Sequence, residues 1–173
     1  MTSNARAPRR GAGRALELAA QAFAMMGGAV LVAMIGMSMT SIVGRTVIGR
    51  PLQGDTELVQ FGVAIGISAF LPWCQMRRGN IIVDFFTTGL PARVQAALDA
   101  FGALLLALVL AIVAWRAAYG AHAVWASGEI AMFSRVPVWI AYAAIVPPLA
   151  VTALAGLYTA WESWRAALGR RPE

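Results

Sequence analysis

Apolar residues fall in four long runs along this chain, at about 19–43, 57–74, 94–119 and 137–161, with short polar stretches between them. Each run approaches or exceeds the roughly 20 residues that carry a helix across a hydrocarbon layer about 30 Å thick. The pattern predicts an all-α membrane protein with four transmembrane helices and no separate soluble domain. Between the second and third runs lies a stretch of a different kind. Its polar residues, Arg77, Asn80, Asp84, Thr87 and Thr88, recur at spacings of three and four, while Ile82, Phe85, Phe86 and Leu90 fall on the other side. At about 14 residues it is too short to span. It reads as an amphipathic helix lying in the membrane surface over about 77–91. Ile81-Ile82-Val83 has strand propensity, but a lone strand there would leave backbone groups unsatisfied.

Prolines and glycines punctuate the runs. Gly44, Gly49, Pro51 and Gly54 mark the first loop as turns, and Pro91 breaks the chain after the surface segment. Gly120 to Val136 reads as the second loop, holding His122, Trp125, Gly128, Glu129 and Arg135. Pro72 sits in the last turn of the second run. Pro147-Pro148 removes two backbone donors in the middle of the fourth and predicts a kink.

Composition sharpens this picture. The chain is 60% hydrophobic and 13% charged, against about a quarter charged in soluble domains, and its mean hydropathy is +0.69. The net charge of +6 is carried by arginine without any lysine. Ten arginines fall on one side of the predicted spans: Arg6, Arg9, Arg10 and Arg14, then Arg77, Arg78 and Arg93, then Arg165, Arg170 and Arg171. Four fall on the other: Arg45, Arg50, Arg116 and Arg135. The richer side should be cytoplasmic, so both termini face the cytoplasm. Aromatic residues agree, with Trp73, Tyr158, Trp161 and Trp164 at the inner interface and Trp115, Tyr119, Trp125, Trp139 and Tyr142 at the outer one. No basic stripe or aromatic platform accompanies the charge, so nucleic-acid binding is not expected. Gly11-Ala12-Gly13 after Arg9-Arg10 does not suit an export signal, and the first apolar run exceeds a signal-peptide core, so it reads as an uncleaved span. The lone Cys74 excludes an internal disulfide.

No catalytic cluster is visible. His122 is the single histidine, which excludes a histidine-based metal site, and no phosphate-binding glycine loop follows a strand. Glu17, Glu57, Asp99 and Arg116 lie near span ends, leaving the middle of each run without charge. Ion-coupled carriers usually need ionisable groups or broken helices near the midplane, so this chain is not expected to carry a substrate alone. The spans do carry packing surfaces. Gly62 and Gly66, four apart, open a groove for a neighbouring helix, either from a partner or from within the chain. Gly28, Gly36 and Thr40 share a face in the first run, as do Ala103, Ala107 and Ala111 in the third. Gln21, Gln60 and Ser68 can bond across helices or to their own backbone. Glu57 complements the helix dipole at the start of the second span. Arg78 and Asp84 can pair within the surface segment or stay solvated.

Three stretches, taken in order, resemble the small, Q-type permease subunit of tripartite ATP-independent periplasmic (TRAP) transporters. The first is Gly49-Arg50-Pro51-Leu52 leading to Glu57. The second is Arg77-Arg78-Gly79-Asn80-Ile81-Ile82-Val83-Asp84 followed by Leu90-Pro91, with Asn80 where members often have histidine. The third is Gly128-Glu129 followed by Pro137-Val138-Trp139-Ile140 and Tyr142. The resemblance implies a bacterial inner-membrane subunit without cofactor that braces a large multi-span permease. Substrate and sodium sites would lie on that large subunit, and a periplasmic binding protein would deliver a carboxylate. It makes Glu57, Gly62, Gly66, Arg78, Asn80, Asp84, Phe85 and Phe86 candidates for the partner-subunit interface. Arg50, Glu129 and Arg135 become candidates for docking the binding protein, and membrane lipid is the remaining partner. A four-span membrane enzyme working through Arg77, Arg78, Asn80 and Asp84 stays open, as does an assembly factor unrelated to transport.

Overall fold

The structure is a computed structural model describing residues 11–49, 54–77 and 91–168. The described residues form four α-helices: α1 (Ala12–Val43), α2 (Asp55–Met76), α3 (Ala92–Ser127) and α4 (Trp139–Ala167). A five-residue π-helical stretch, Gly44–Ile48, continues α1. Among the described residues there is no strand, only an isolated bridge between Ile130 and Pro137. Each of the four helices is long and apolar enough to cross a membrane. The surface segment expected over 77–91 lies, past Arg77 and short of Pro91, outside the described residues.

The helices overrun the apolar runs. α1 starts well before Ala19, and α3 continues through Gly120, His122 and Trp125, which were expected in the second loop, to Ser127. Alanine favours helix, and Gly120 alone costs only about 1 kcal/mol, so nothing stops α3 before Gly128. Gly128 adopts φ 64° and closes the helix in the left-handed conformation. At about 1.5 Å per residue, the 36 residues of α3 measure roughly 54 Å. That exceeds a hydrocarbon layer of about 30 Å, so α3 tilts or projects beyond it.

Successive helices run antiparallel. The start of α1, the end of α2, the start of α3 and the end of α4 share one end, here the terminal end; the opposite end is the loop end. α2 packs on α1 and α4, α3 packs on α4 alone, and α1 touches α4 slightly. The order across the molecule is therefore α1, α2, α4, α3. The core is inverted relative to a soluble protein. Among the described residues its buried apolar side chains are mostly alanines, with Met76, Leu149, Pro72 and Pro148, whereas Phe101, Leu108, Ile112, Val32 and Ile35 face outward. Large aliphatic side chains fill a water-soluble core. Small residues inside and large ones outside are what close-packed helices adopt in lipid.

Two seams show how closely. A Cβ on Gly27 would stand 2.8 Å from the Ala69 Cβ and 2.9 Å from the Gly66 carbonyl oxygen. Leu31 and Met34 of α1 fill the notches at Gly66 and Gly62 of α2. On the other side, Gly156 of α4 admits Ala107 of α3, whose Cβ is 2.9 Å from where a Gly156 Cβ would sit. The α3 seam is Ala100, Ala103, Ala107 and Ala114, all buried. Ala111 is exposed, because steps of four drift off a face that steps of three and four together follow. Gly36 meets nothing within 4 Å and Gly28 only the ring of Phe70 at 3.9 Å, so Gly27 carries the α1 contact. α4 runs unbroken through Pro147-Pro148, where the Thr152 hydroxyl donates to the Pro148 carbonyl at 2.7 Å.

Candidate functional surfaces

At the loop end, the first turn of α2 places two carboxylates two residues apart, Asp55 and Glu57. At 3.6 residues per turn they stand about 200° apart around the helix and reach different neighbours. Asp55 accepts from the Ser41 hydroxyl near the end of α1. Glu57 accepts from the tip of the α3–α4 loop. The Phe133 N–H donates at 3.1 Å, and the Ser134 N–H and hydroxyl each donate at 2.9 Å. Gly54, just before the helix, holds φ 78°, and a Cβ there would meet Ser134 backbone atoms at 2.6 Å. Two independent requirements, a left-handed backbone and a backbone approach, therefore fall on that one glycine.

The loop clasped in this way is short and ordered by its own bonds. Ala131 N–H donates to the Val136 carbonyl, Val138 N–H to Glu129, and Arg135 N–H to Ala131. Arg135 takes φ 54°, a left-handed conformation uncommon outside glycine, asparagine and aspartate. Glu129 and Arg135 are both exposed, and so are Ile130, Met132 and Phe133. An exposed tip with apolar and charged side chains, held from behind by Glu57, is a preformed contact surface.

The terminal end is held differently. Ala20, Met76 and Ala155 form its buried cluster, with Leu16 and Trp73 against it. The buried Gln75 amide donates to the Thr159 hydroxyl at 2.9 Å, and that hydroxyl donates to the Gly156 carbonyl at 3.0 Å. Without water, such a bond joins α2 to α4 because the alternative is an unpaired amide in hydrocarbon. Arg77 stacks over Trp73 at 4.4 Å and Arg165 over Trp161 at 4.0 Å, each one helical turn from its ring.

Of the residues singled out in the sequence, Glu57, Glu129 and Arg135 come together around one loop. Gly62 and Gly66 face α1, so the helix that fills their groove belongs to this chain. Arg50, Arg78, Asn80, Asp84, Phe85 and Phe86 lie outside the described residues. His122 is on α3 with its ring 5.9 Å from that of Trp125. Gln21 and Gln60 are exposed, while Ser68 is buried and donates to its own helix at Ile65. Sequence reasoning marked Gly54 as a turn but not its contact with Ser134, and it missed Ser41, Asp55, Gln75, Ser134 and Thr159. Only Gly54 and Asp55 were open to it, through the tight spacing Gly54-Asp55-x-Glu57. Among the described residues no group of three histidine, cysteine or acidic side chains could hold a metal ion.

Comparison with curated proteins and with solved structures returns no match for this chain. A family model described as "Tripartite ATP-independent periplasmic transporters, DctQ component" matches residues 34–166. That match covers only the last third of α1, but all of α2 and α3, nearly all of α4 and both sides of the Glu57 clasp. The chain belongs to the DctQ component family of tripartite ATP-independent periplasmic transporters.

Proposed function

We propose that this chain is the small membrane subunit of a TRAP transporter, bracing a large permease subunit during sodium-driven, binding-protein-dependent uptake of an organic acid. The observation that carries this reading is the inverted packing. Alanine and glycine seams lock four helices together, which leaves the outward faces of α1 and α3 broad, apolar and rigidly placed. Such faces suit a second multi-span protein in the bilayer, where close packing rather than hydrophobicity selects the partner. The segment 77–91, with Arg78, Asn80, Asp84, Phe85 and Phe86, would add a surface contact at the cytoplasmic interface. The clasped loop, with Glu129 and Arg135, would meet the periplasmic binding protein, and Arg50 would be a further candidate for that contact. Substrate and sodium would be bound by the large subunit.

The test is reconstitution. Liposomes holding this chain alone, under an inward sodium gradient, should accumulate no carboxylate. Liposomes that also hold the large subunit, given the binding protein and its ligand, should accumulate it. Gradient-driven uptake by this chain alone refutes the bracing role.

A further inference from the structure

Where α3 begins and α4 ends, the surface opens into an apolar trough of about 310 Å³. Its floor is Ala100 and Ala160, both buried, and its walls are Phe101, Leu157, Trp161 and Trp164, each half or more exposed. Small residues below tall ones make a channel along the helix pair, not a flat face. The two helices run antiparallel, so both continue past the trough towards the terminal end. There α3 carries Arg93, two turns before Ala100, and α4 carries Arg165, one turn after Trp161. The Arg165 guanidinium lies over the Trp161 ring at 4.0 Å. A guanidinium over an aromatic ring is held there by cation–π attraction and still has N–H donors to offer an oxyanion.

We propose that this trough holds one acyl chain of an anionic phospholipid whose headgroup phosphate is bound by Arg165, with Arg93 adding attraction. The shape favours a lipid over a helix. A helix about 10–12 Å across rides on the walls without reaching the alanine floor, whereas a flexible chain lies in it. The rim is not uniformly basic, because Asp99 and Glu162 adjoin the lining residues and Glu162 itself has an interaction partner. The phosphate is therefore assigned to the stacked guanidinium and not to net charge. The location also fits. Trp161 and Trp164 belong at a membrane–water interface, and an arginine there attracts anionic lipid.

The experiment uses the full chain, with its large subunit where the two co-purify, in nanodiscs of equal parts phosphatidylglycerol and phosphatidylcholine. In separate samples, one or the other lipid carries a photoreactive group near the end of an acyl chain. Labelling should concentrate on peptides containing Phe101 and Leu157 and favour phosphatidylglycerol about fivefold, the size of one arginine–headgroup attraction. Arg165→Gln should bring phosphatidylglycerol labelling down to the phosphatidylcholine level. Leu157→Trp fills the trough from an exposed wall and should abolish trough labelling by both lipids; Leu104→Trp, from the opposite wall, replaces it if that variant fails to fold. Three results overturn the proposal. One is labelling spread over α1 and α3 in proportion to exposure, and another is labelling unchanged in the filled variant. The third is a photoreactive residue at position 157 that captures the large subunit instead of lipid.

Discussion

Asp55 and Glu57 divide the work of anchoring α2. Helical geometry turns the first towards Ser41 of α1 and the second towards the loop beyond α3. The sequence shows an acid at a helix start, for which dipole compensation is sufficient reason. It cannot show that the acid's partners are 76 and 77 residues away. Gln75 was equally hidden: it stands beside Arg77 in a flank that reads as an exit from the membrane, yet it is buried against Thr159. Glu57→Gln keeps the shape and removes the charge, so one amide oxygen must replace a carboxylate that accepts from three donors. The variant should insert normally. Hydrogen exchange at the Phe133 and Ser134 amides should speed up while that of α2 and α4 holds, and unchanged protection of both amides would count against the clasp. Gly54→Ala should be worse, since the left-handed backbone alone costs a non-glycine residue about 1–2 kcal/mol and its Cβ also strikes the Ser134 backbone.

Helices were the most legible feature, because a run of apolar residues near membrane length has few alternatives. Their ends and faces were less so. α3 passes Tyr119 because Ala121, Ala123 and Ala126 carry the helix past Gly120, and hydropathy falls there without the backbone changing course. The glycine pair at Gly62 and Gly66 was visible as a groove, but a groove does not name its occupant. Depth of contact along α1 separates the glycines further. Gly27→Ala must push apart Ala69 and the Gly66 backbone, whereas Gly36→Ala meets nothing within 4 Å. Overpacking a tight seam costs about 1–3 kcal/mol, and an unopposed Gly→Ala in a helix gains up to about 1 kcal/mol. The two alanine variants should therefore move the melting temperature in detergent in opposite directions, Gly27→Ala downward and Gly36→Ala upward. Equal shifts would mean that α1 does not pack on α2 through Gly27.

At the scale of the whole molecule, the antiparallel order reduces topology to a single choice. The start of α1 and the end of α4 lie at the same end, so these two helix ends share a side whichever side it is. Arginine placement predicts which side that is. Ten arginines belong to the terminal end and its flanking segments and four to the loop end, and basic residues near span ends are retained in the cytoplasm. Stacking at the terminal end is consistent with an interface there, since Arg77 and Arg165 each rest on a tryptophan of their own helix. Reporter fusions after Glu173 and at Arg78 should be active as cytoplasmic reporters. Fusions near Gly54 and Gly128 should be active as periplasmic ones. The four positions test two things at once. If all four invert together, the fold stands and the arginine argument fails. If the members of either pair disagree, an odd number of crossings separates them, and the antiparallel four-helix arrangement itself is wrong.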